Sequence, residues 1–305
     1  MKHILTGKQF ADKNLLESLF KRARELEEQD AKGKVPQLLA GKIVATVFFE
    51  TSTRTRLSFE SGAQKLGAGV ITMADPKTSS ASKGESLEDT IKIIAGYSDI
   101  LVLRHPENGA AEKAAKVAGI PVINAGDGYN EHPTQALYDL YSMQKELGKI
   151  DGLKIAFMSD LRYQRNVHSL VPLCCLFKNI ELYFIGPKEL ALPQVYKDQL
   201  IAAGIKFEEL EKVDSILPEI DVLYVARVFK ERFSDEAEYE RLKKSFFVDK
   251  KTVAQMKKKS VILHVMPRIF EIEKEVDADP RAGYFRQAKN GLYVRMALLL
   301  YALRL

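Results

Sequence analysis

Cysteine is nearly absent. The 305 residues hold two, and these are neighbours, Cys174 and Cys175. Adjacent cysteines seldom bridge, and two thiols cannot complete a four-ligand zinc site. Both lie in the apolar stretch 171–177, so core thiols in a reducing compartment are expected. A strong charge bias is missing too. Lys and Arg total 46 against 41 Asp and Glu, a net charge of +5, well short of the basic stripe of a nucleic-acid binder. The longest strongly apolar run near the C-terminus, residues 296–303, is far too short to cross a bilayer. The opening residues MKHILTGKQFADKN have no signal-peptide apolar core. The expectation is a cytoplasmic chain with neither membrane nor nucleic acid among its partners. No P-loop, dinucleotide fingerprint or metal-ligand spacing occurs, and no Ser or Cys nucleophile with a paired His. Gly67-Ala68-Gly69 precedes a strand, the wrong order for a nucleotide loop. No cofactor and no metal are expected.

What is present is regular alternation. Hydrophobic residues make up 46% of the chain and charged residues 29%, ordinary for a globular protein of about two domains. Apolar, β-branched runs at 42–49, 68–73, 100–103, 121–124, 154–158, 181–185, 222–225 and 261–265 read as strands. Amphipathic segments separate them. In the first, Leu15, Leu16, Leu19, Phe20, Ala23 and Leu26 share one face. Near-continuous apolar strands alternating with helices predict an α/β protein with two doubly wound parallel-sheet domains. The first series runs from 42 to 124 and the second from 154 to 265. A helix at 133–147 lies between them, a glycine-flanked hinge follows at 148–152, and a helix at 285–303 closes the chain. In such sheets ligands bind at the carboxyl ends of strands.

Those ends carry the chemistry. After the first strand comes Glu50-Thr51-Ser52-Thr53-Arg54-Thr55-Arg56, hydroxyl groups and arginines at a helix start, which suits phosphate. An ordinary Ser N-cap with surface arginines needs fewer such residues. Arg104-His105-Pro106 follows the third strand and could reach the same ligand; alone, Arg104 reads equally as a surface or ion-paired residue. After the fourth strand comes Asn124-Ala125-Gly126-Asp127-Gly128, then His132-Pro133-Thr134-Gln135. Three residues apart, His132 and Gln135 can share one face of a helical turn, one donating to an oxygen and the other holding an amide. Lys83, in the polar loop 79–86, reads by itself as a solvated lysine. In the second half, Arg165 and Arg227 follow two strands and suit a dicarboxylate, or internal ion pairs, for example with Glu50. Together these residues describe direct transfer of a group carried on phosphate, driven by positioning and electrostatics.

The same motifs, with Lys83-Gly84-Glu85, Val167-His168-Ser169-Leu170, Lys230-Glu231-Arg232-Phe233 and Asn290-Gly291-Leu292, resemble the aspartate/ornithine carbamoyltransferases, and within them the aspartate branch. The resemblance spans nearly the whole chain. It implies a carbamoyl-phosphate domain, 1–132 with 285–305, an interdomain helix at 133–149, and an aspartate-binding domain at 150–284. It implies transfer of a carbamoyl group to L-aspartate in pyrimidine biosynthesis, by a homotrimer with shared active sites, with a regulatory chain or a dihydroorotase as possible further partners. Ser52, Thr53, Arg54 and Thr55 are implied to hold phosphate. Thr55, Arg104 and His132 are implied to polarise the carbamoyl oxygen, and Gln135 to hold its amide. Ser79 and Lys83 are implied to come from a neighbouring subunit, Lys83 contacting aspartate too. Arg165, Arg227 and Met266 are implied to bind aspartate, and Glu50 with Arg165 and Arg232 to link the domains on closure.

Departures from the family pattern cluster in the second half. Thr51 alone stands in the first, where a small residue or proline is usual. Arg162 replaces a lysine, Gln164-Arg165-Asn166 replaces Gly-Arg-Thr, and Phe229 replaces a Gln. His264-Val265-Met266-Pro267-Arg268 replaces His-Pro-Leu-Pro-Arg, and Phe270 replaces an Asp that could order the same loop. Losing hydrogen bonds to a charged group costs about 1.5–3 kcal/mol each, so a weakened acceptor pocket is expected at Phe229. Two other readings stand beside it: a carbamoyltransferase for another amine, and a non-catalytic carbamoyl-phosphate-binding paralogue. The ornithine His-Cys-Leu-Pro motif is absent. The resemblance also implies a cis bond before Pro267.

Overall fold

The computed structural model describes residues 2–78, 80–228 and 235–305. The chain divides into two compact units. One is Met1–Tyr138 with Lys289–Leu305, and the other is Asp139–Ala288.

In the first unit, α1 (Lys13–Ala31) is capped by Asp12, whose carboxylate accepts from the Asn14 and Leu15 amides. Then follow β1 (Ile43–Phe48), α2 (Thr53–Lys65), β2 (Gly69–Met73), α3 (Leu87–Ala95), β3 (Ile100–His105), α4 (Ala110–Val117) and β4 (Val122–Asp127). All pairings are parallel, in the order β2-β1-β3-β4. The chain steps from β1 outward to β2 and then to β3 on the other side, so the topological switch lies between β1 and β3. Apolar side chains of β1 and β3 pack on those of α3 and α4.

The second unit contains β5 (Lys154–Met158), α6 (Arg165–Cys174), β6 (Glu181–Ile185), α7 (Gln194–Ala202), β7 (Lys206–Leu210), β8 (Val222–Val225), α8 (Glu236–Lys243), α9 (Lys250–Gln255) and β9 (Val261–His264). Its five parallel strands have the order β7-β6-β5-β8-β9, with the switch between β5 and β8. Two helices contribute to both units. α5 (Pro133–Leu147) divides after Tyr138, and α10 (Tyr284–Leu303) divides after Ala288. Asp139 accepts hydrogen bonds from Tyr224 and Gln287 inside the second unit, which is why most of α5 belongs there.

The predicted α/β class and the two doubly wound parallel sheets are what the structure contains. It differs in two places. β7 was not expected, because its sequence KFEEL is charged. It is an edge strand with Lys206, Glu208 and Glu209 exposed, and edge strands use charge to discourage further pairing. The strands predicted at 100–103 and 121–124 run on to His105 and Asp127. Arg104 therefore sits within β3, paired with Phe48, and Asn124 through Asp127 lie within β4. Cys174 is fully buried, as expected, and burial raises its pKa; Cys175 is only half-buried. Among the described residues no helix is long and apolar enough to cross a membrane.

Candidate active site

In the first unit the predicted donor residues come from β1, β3 and β4, three adjacent strands. Ser52 is the N-cap of α2, with φ −154° and ψ 99°, yet its side chain makes no cap hydrogen bond. Ser86 and Asp249 cap α3 and α9 with their side chains. The start of α2 thus keeps amide donors and the positive dipole end available to an anion. Thr55 is buried one turn along, while Thr53 and Arg54 are exposed.

The helix behind these residues is fixed by a buried cation. Arg295 of α10 donates to Ser58 Oγ (2.6 Å), and Ser58 donates to the Arg54 carbonyl (2.7 Å). The Arg295 guanidinium lies 5.2 Å from the Phe59 ring centroid and 4.9 Å from that of Tyr138, a desolvated cation–π arrangement. Tyr138 in turn donates to Gln135 Oε1 (2.5 Å), orienting the amide predicted to hold the carbamoyl group. Gly291 permits this packing, since a Cβ there would stand 3.1 Å from the Tyr138 ring.

Arg104 donates from Nε to Glu50 Oε2 at 3.1 Å. Glu50, assigned by resemblance to domain closure, here orients the arginine assigned to the carbamoyl oxygen. His132 and Gln135 are both buried at the start of α5, where the His132 carbonyl accepts from the Gln135 amide. The loop leading to His132 is built on Asp127. Its carboxylate accepts from Asn124 Nδ2 (2.9 Å), the Gly109 amide (2.9 Å), the Glu131 amide (3.2 Å) and Asn130 Nδ2 (3.3 Å). Gly128 follows at φ +50°, and a Cβ there would fall 1.9 Å from Asn108 Oδ1, so the turn requires glycine. Lys83, exposed, ends the turn Ser80–Lys83 beyond the edge strand β2. Ser79 lies outside the described residues, as do Phe229 and Arg232.

In the second unit the acceptor residues follow β5, β8 and β9, again adjacent strands. Arg165 opens α6 and is half-buried. Its unusual neighbours pair with one another, Asn166 Nδ2 donating to Gln164 Oε1 (3.2 Å). His168 holds the loop before them. Its Nε2 lies 2.9 Å from the Leu161 carbonyl, which can only accept, so the proton is on Nε2. The ring stacks on Tyr196 at 4.6 Å, and burial lowers its pKa to about 4. Arg227 is half-buried beyond β8, and the amide of Ala226 before it donates to the Met158 carbonyl of β5 (3.2 Å).

After β9 the chain turns through Met266 at φ +50° and a cis bond to Pro267. His264 Nδ1 accepts from the Met266 amide (2.8 Å), and the buried carboxylate of Glu271 accepts from the amides of Ile269 (2.8 Å) and Phe270 (3.2 Å). A buried carboxylate one residue after Phe270 therefore orders the backbone of this loop. Phe270 itself packs against the core, with Lys243 Nζ 5.5 Å from its ring centroid. A cavity of about 830 Å³ opens elsewhere in this unit, beside Met158, Lys188, Val213, Arg241 and Thr252. It contains no predicted acceptor residue, and its cations Lys188, Lys212 and Arg241 stand among Glu189, Glu211 and Asp214, so it offers no single-sign field for a dicarboxylate.

Sequence reasoning overlooked Asp127, Tyr138, Arg295 and Glu271. Arg295 left a trace as the one cation within the apolar stretch 292–303, and Glu271 as a carboxylate between Phe270 and Ile272. Asp127 and Tyr138 left none beyond their motifs.

Comparison with known proteins places the chain in a family. Residues 2–145 match the carbamoyl-P binding domain of aspartate/ornithine carbamoyltransferase, and residues 151–302 match its Asp/Orn binding domain. The aspartate carbamoyltransferase catalytic subunit of Methanocaldococcus jannaschii is 52% identical over 98% of this chain and 97% of its own. A chloroplastic aspartate carbamoyltransferase of Arabidopsis thaliana is 48% identical over 97% of this chain and 76% of its own. An aspartate transcarbamoylase from Trypanosoma cruzi, solved in complex with carbamoyl phosphate and aspartate, superposes with a TM-score of 0.93 at 37% identity, covering 98% of this chain and 95% of that one. The chain belongs to the aspartate/ornithine carbamoyltransferase family.

Proposed function

We infer that this chain transfers the carbamoyl group of carbamoyl phosphate to the amine of L-aspartate, giving N-carbamoyl-L-aspartate and phosphate. The observation that carries the reading is similarity over almost the whole chain to aspartate carbamoyltransferases. The uncapped start of α2 and the paired Glu50–Arg104 support it from the donor side.

Ser52, Thr53, Arg54 and Thr55 receive the phosphate. Thr55, Arg104 and His132 donate to the carbamoyl oxygen, and Gln135 accepts from the carbamoyl amide. Arg165 and Arg227 pair with the two carboxylates of aspartate, beside the Met266 loop. The aspartate amine attacks the carbamoyl carbon. Negative charge gathers on the oxygen held by the three donors, the bond from carbon to the phosphate oxygen breaks, and the amine gives its proton to the departing phosphate. Preorganised donors at such an oxygen are worth ~10²–10³ in rate apiece. The working form is a cytoplasmic homotrimer in which Ser79 and Lys83 reach a neighbouring subunit's site, a reading that rests on the motif resemblance.

The test supplies carbamoyl phosphate with L-aspartate, then with a panel of other amino acids, and measures phosphate and carbamoylated product. Turnover with aspartate is expected. Turnover only with another amine, or binding without turnover, would overturn the reading. Light scattering checks the trimer.

A further inference from the structure

We propose that Glu271 is a positioning residue for the acceptor loop, holding residues 266–270 in the shape that binds the amino-acid substrate. The proposal rests on the assignment of Met266 to that loop.

The Glu271 side chain is fully buried, with 0% exposure. A buried carboxylate is costly unless it is hydrogen-bonded, and here it accepts two successive backbone amides, Ile269 and Phe270. It also lies 3.8 Å from Nε2 of His264, whose side chain is equally buried. Because Nδ1 of that ring accepts the Met266 amide, its N–H is on Nε2. Pro267 has no amide hydrogen. Glu271 and His264 thus engage three of the four amides the loop possesses. Met266 is held at positive φ, a region that non-glycine residues seldom occupy, so the loop depends on outside support.

Both anchors stand on fixed backbone. The Glu271 carbonyl accepts from the Val248 amide (2.8 Å). The His264 amide donates to Gln287 Oε1 (2.9 Å), Gln287 Nε2 donates to Asp139 Oδ1 (2.7 Å), and Tyr224 donates to Asp139 Oδ2 (2.6 Å). Two other side chains of the loop are committed elsewhere. Arg268 pairs with Asp277, and Phe270 packs against the core. Being fully buried, Glu271 acts on substrate only through the loop.

Glu271→Gln keeps an oxygen that accepts amides; Glu271→Met keeps the volume and removes the acceptor. With carbamoyl phosphate saturating, Glu271→Met is expected to raise the KM for aspartate by ~10–100-fold, with Glu271→Gln within about threefold of the parent. The KM for carbamoyl phosphate stays unchanged in both. Amide exchange at Ile269 and Phe270, read without turnover, accelerates at least about tenfold in Glu271→Met and not in Glu271→Gln. If Glu271→Met does not fold, His264→Phe removes the Met266 acceptor instead, with the same rise in aspartate KM and faster exchange at Met266. The proposal is overturned if aspartate KM and loop exchange stay at parental values, if the Gln variant fails as badly as Met, or if both substrates' KM values rise together. Absence of aspartate turnover by the parent protein would instead count against the function, and loop exchange would still decide the role of Glu271.

Discussion

On the proposed function, the two units solve different recognition problems by different means. The donor residues sit on regular structure: a helix start, the last residues of a strand, and the first turn of another helix. The predicted acceptor residues include an irregular loop whose backbone is held by the buried side chains of His264 and Glu271, with the His264 amide anchored through Gln287 to Asp139 and Tyr224. A phosphate is met by amides and a dipole that a helix already provides. A loop with one residue at positive φ has no such scaffold and is held by the buried side chains that flank it, His264 and Glu271.

The contrast is broken most forcefully on the donor side. Arg54→Ala should lower kcat/KM for carbamoyl phosphate by ~10²–10⁴, from the loss of two charge-assisted hydrogen bonds, with aspartate KM little changed at saturating donor. Arg104→Ala should lower kcat by ~10²–10³; initial rates at saturating substrates measure it, and a change confined to KM would place Arg104 outside the reacting group.

The next effect belongs to the second unit and appears in stability. The pKa of His168 is about 4 in the fold against an ordinary 6.5 when unfolded. Below pH 6.5 the unfolded chain takes a proton that the folded ring refuses, so stability falls as pH drops from 6.5 towards 4. The loss approaches roughly 3 kcal/mol, at 1.36 kcal/mol per unit of pKa difference. Urea midpoints at pH 7 and pH 4.5 should separate, and the separation should shrink in His168→Asn. The smallest effect is expected at Cys175→Ser. The half-buried thiol takes no part in the chemistry, so turnover should stay within about twofold.

Much of this was legible in the sequence. Apolar strands such as 154–158 and 222–225 were found at their observed bounds, because buried parallel strands are continuous in hydrophobicity. The charged edge strand β7 was invisible for the opposite reason. The donor run from Ser52 to Thr55, and the pair His132 and Gln135, stood out by position. Arg104 was placed one structural step late, because a strand's last residues carry polar side chains like a loop's. Glu271 and Arg295 were not legible in function. Arg295 takes its meaning from Ser58, 237 positions away, a relation no local pattern encodes; Glu271 bonds amides one and two positions before it, but that it is buried follows from the fold around it.

The central claim is that donor and acceptor recognition belong to separate sets of residues. The most direct test is the pair of KM values in Arg227→Ala, each measured with the other substrate saturating. The account predicts that KM for aspartate rises at least about tenfold, from a lost carboxylate pairing, while KM for carbamoyl phosphate stays within about twofold. An equal rise in both, or no rise in either, would contradict it.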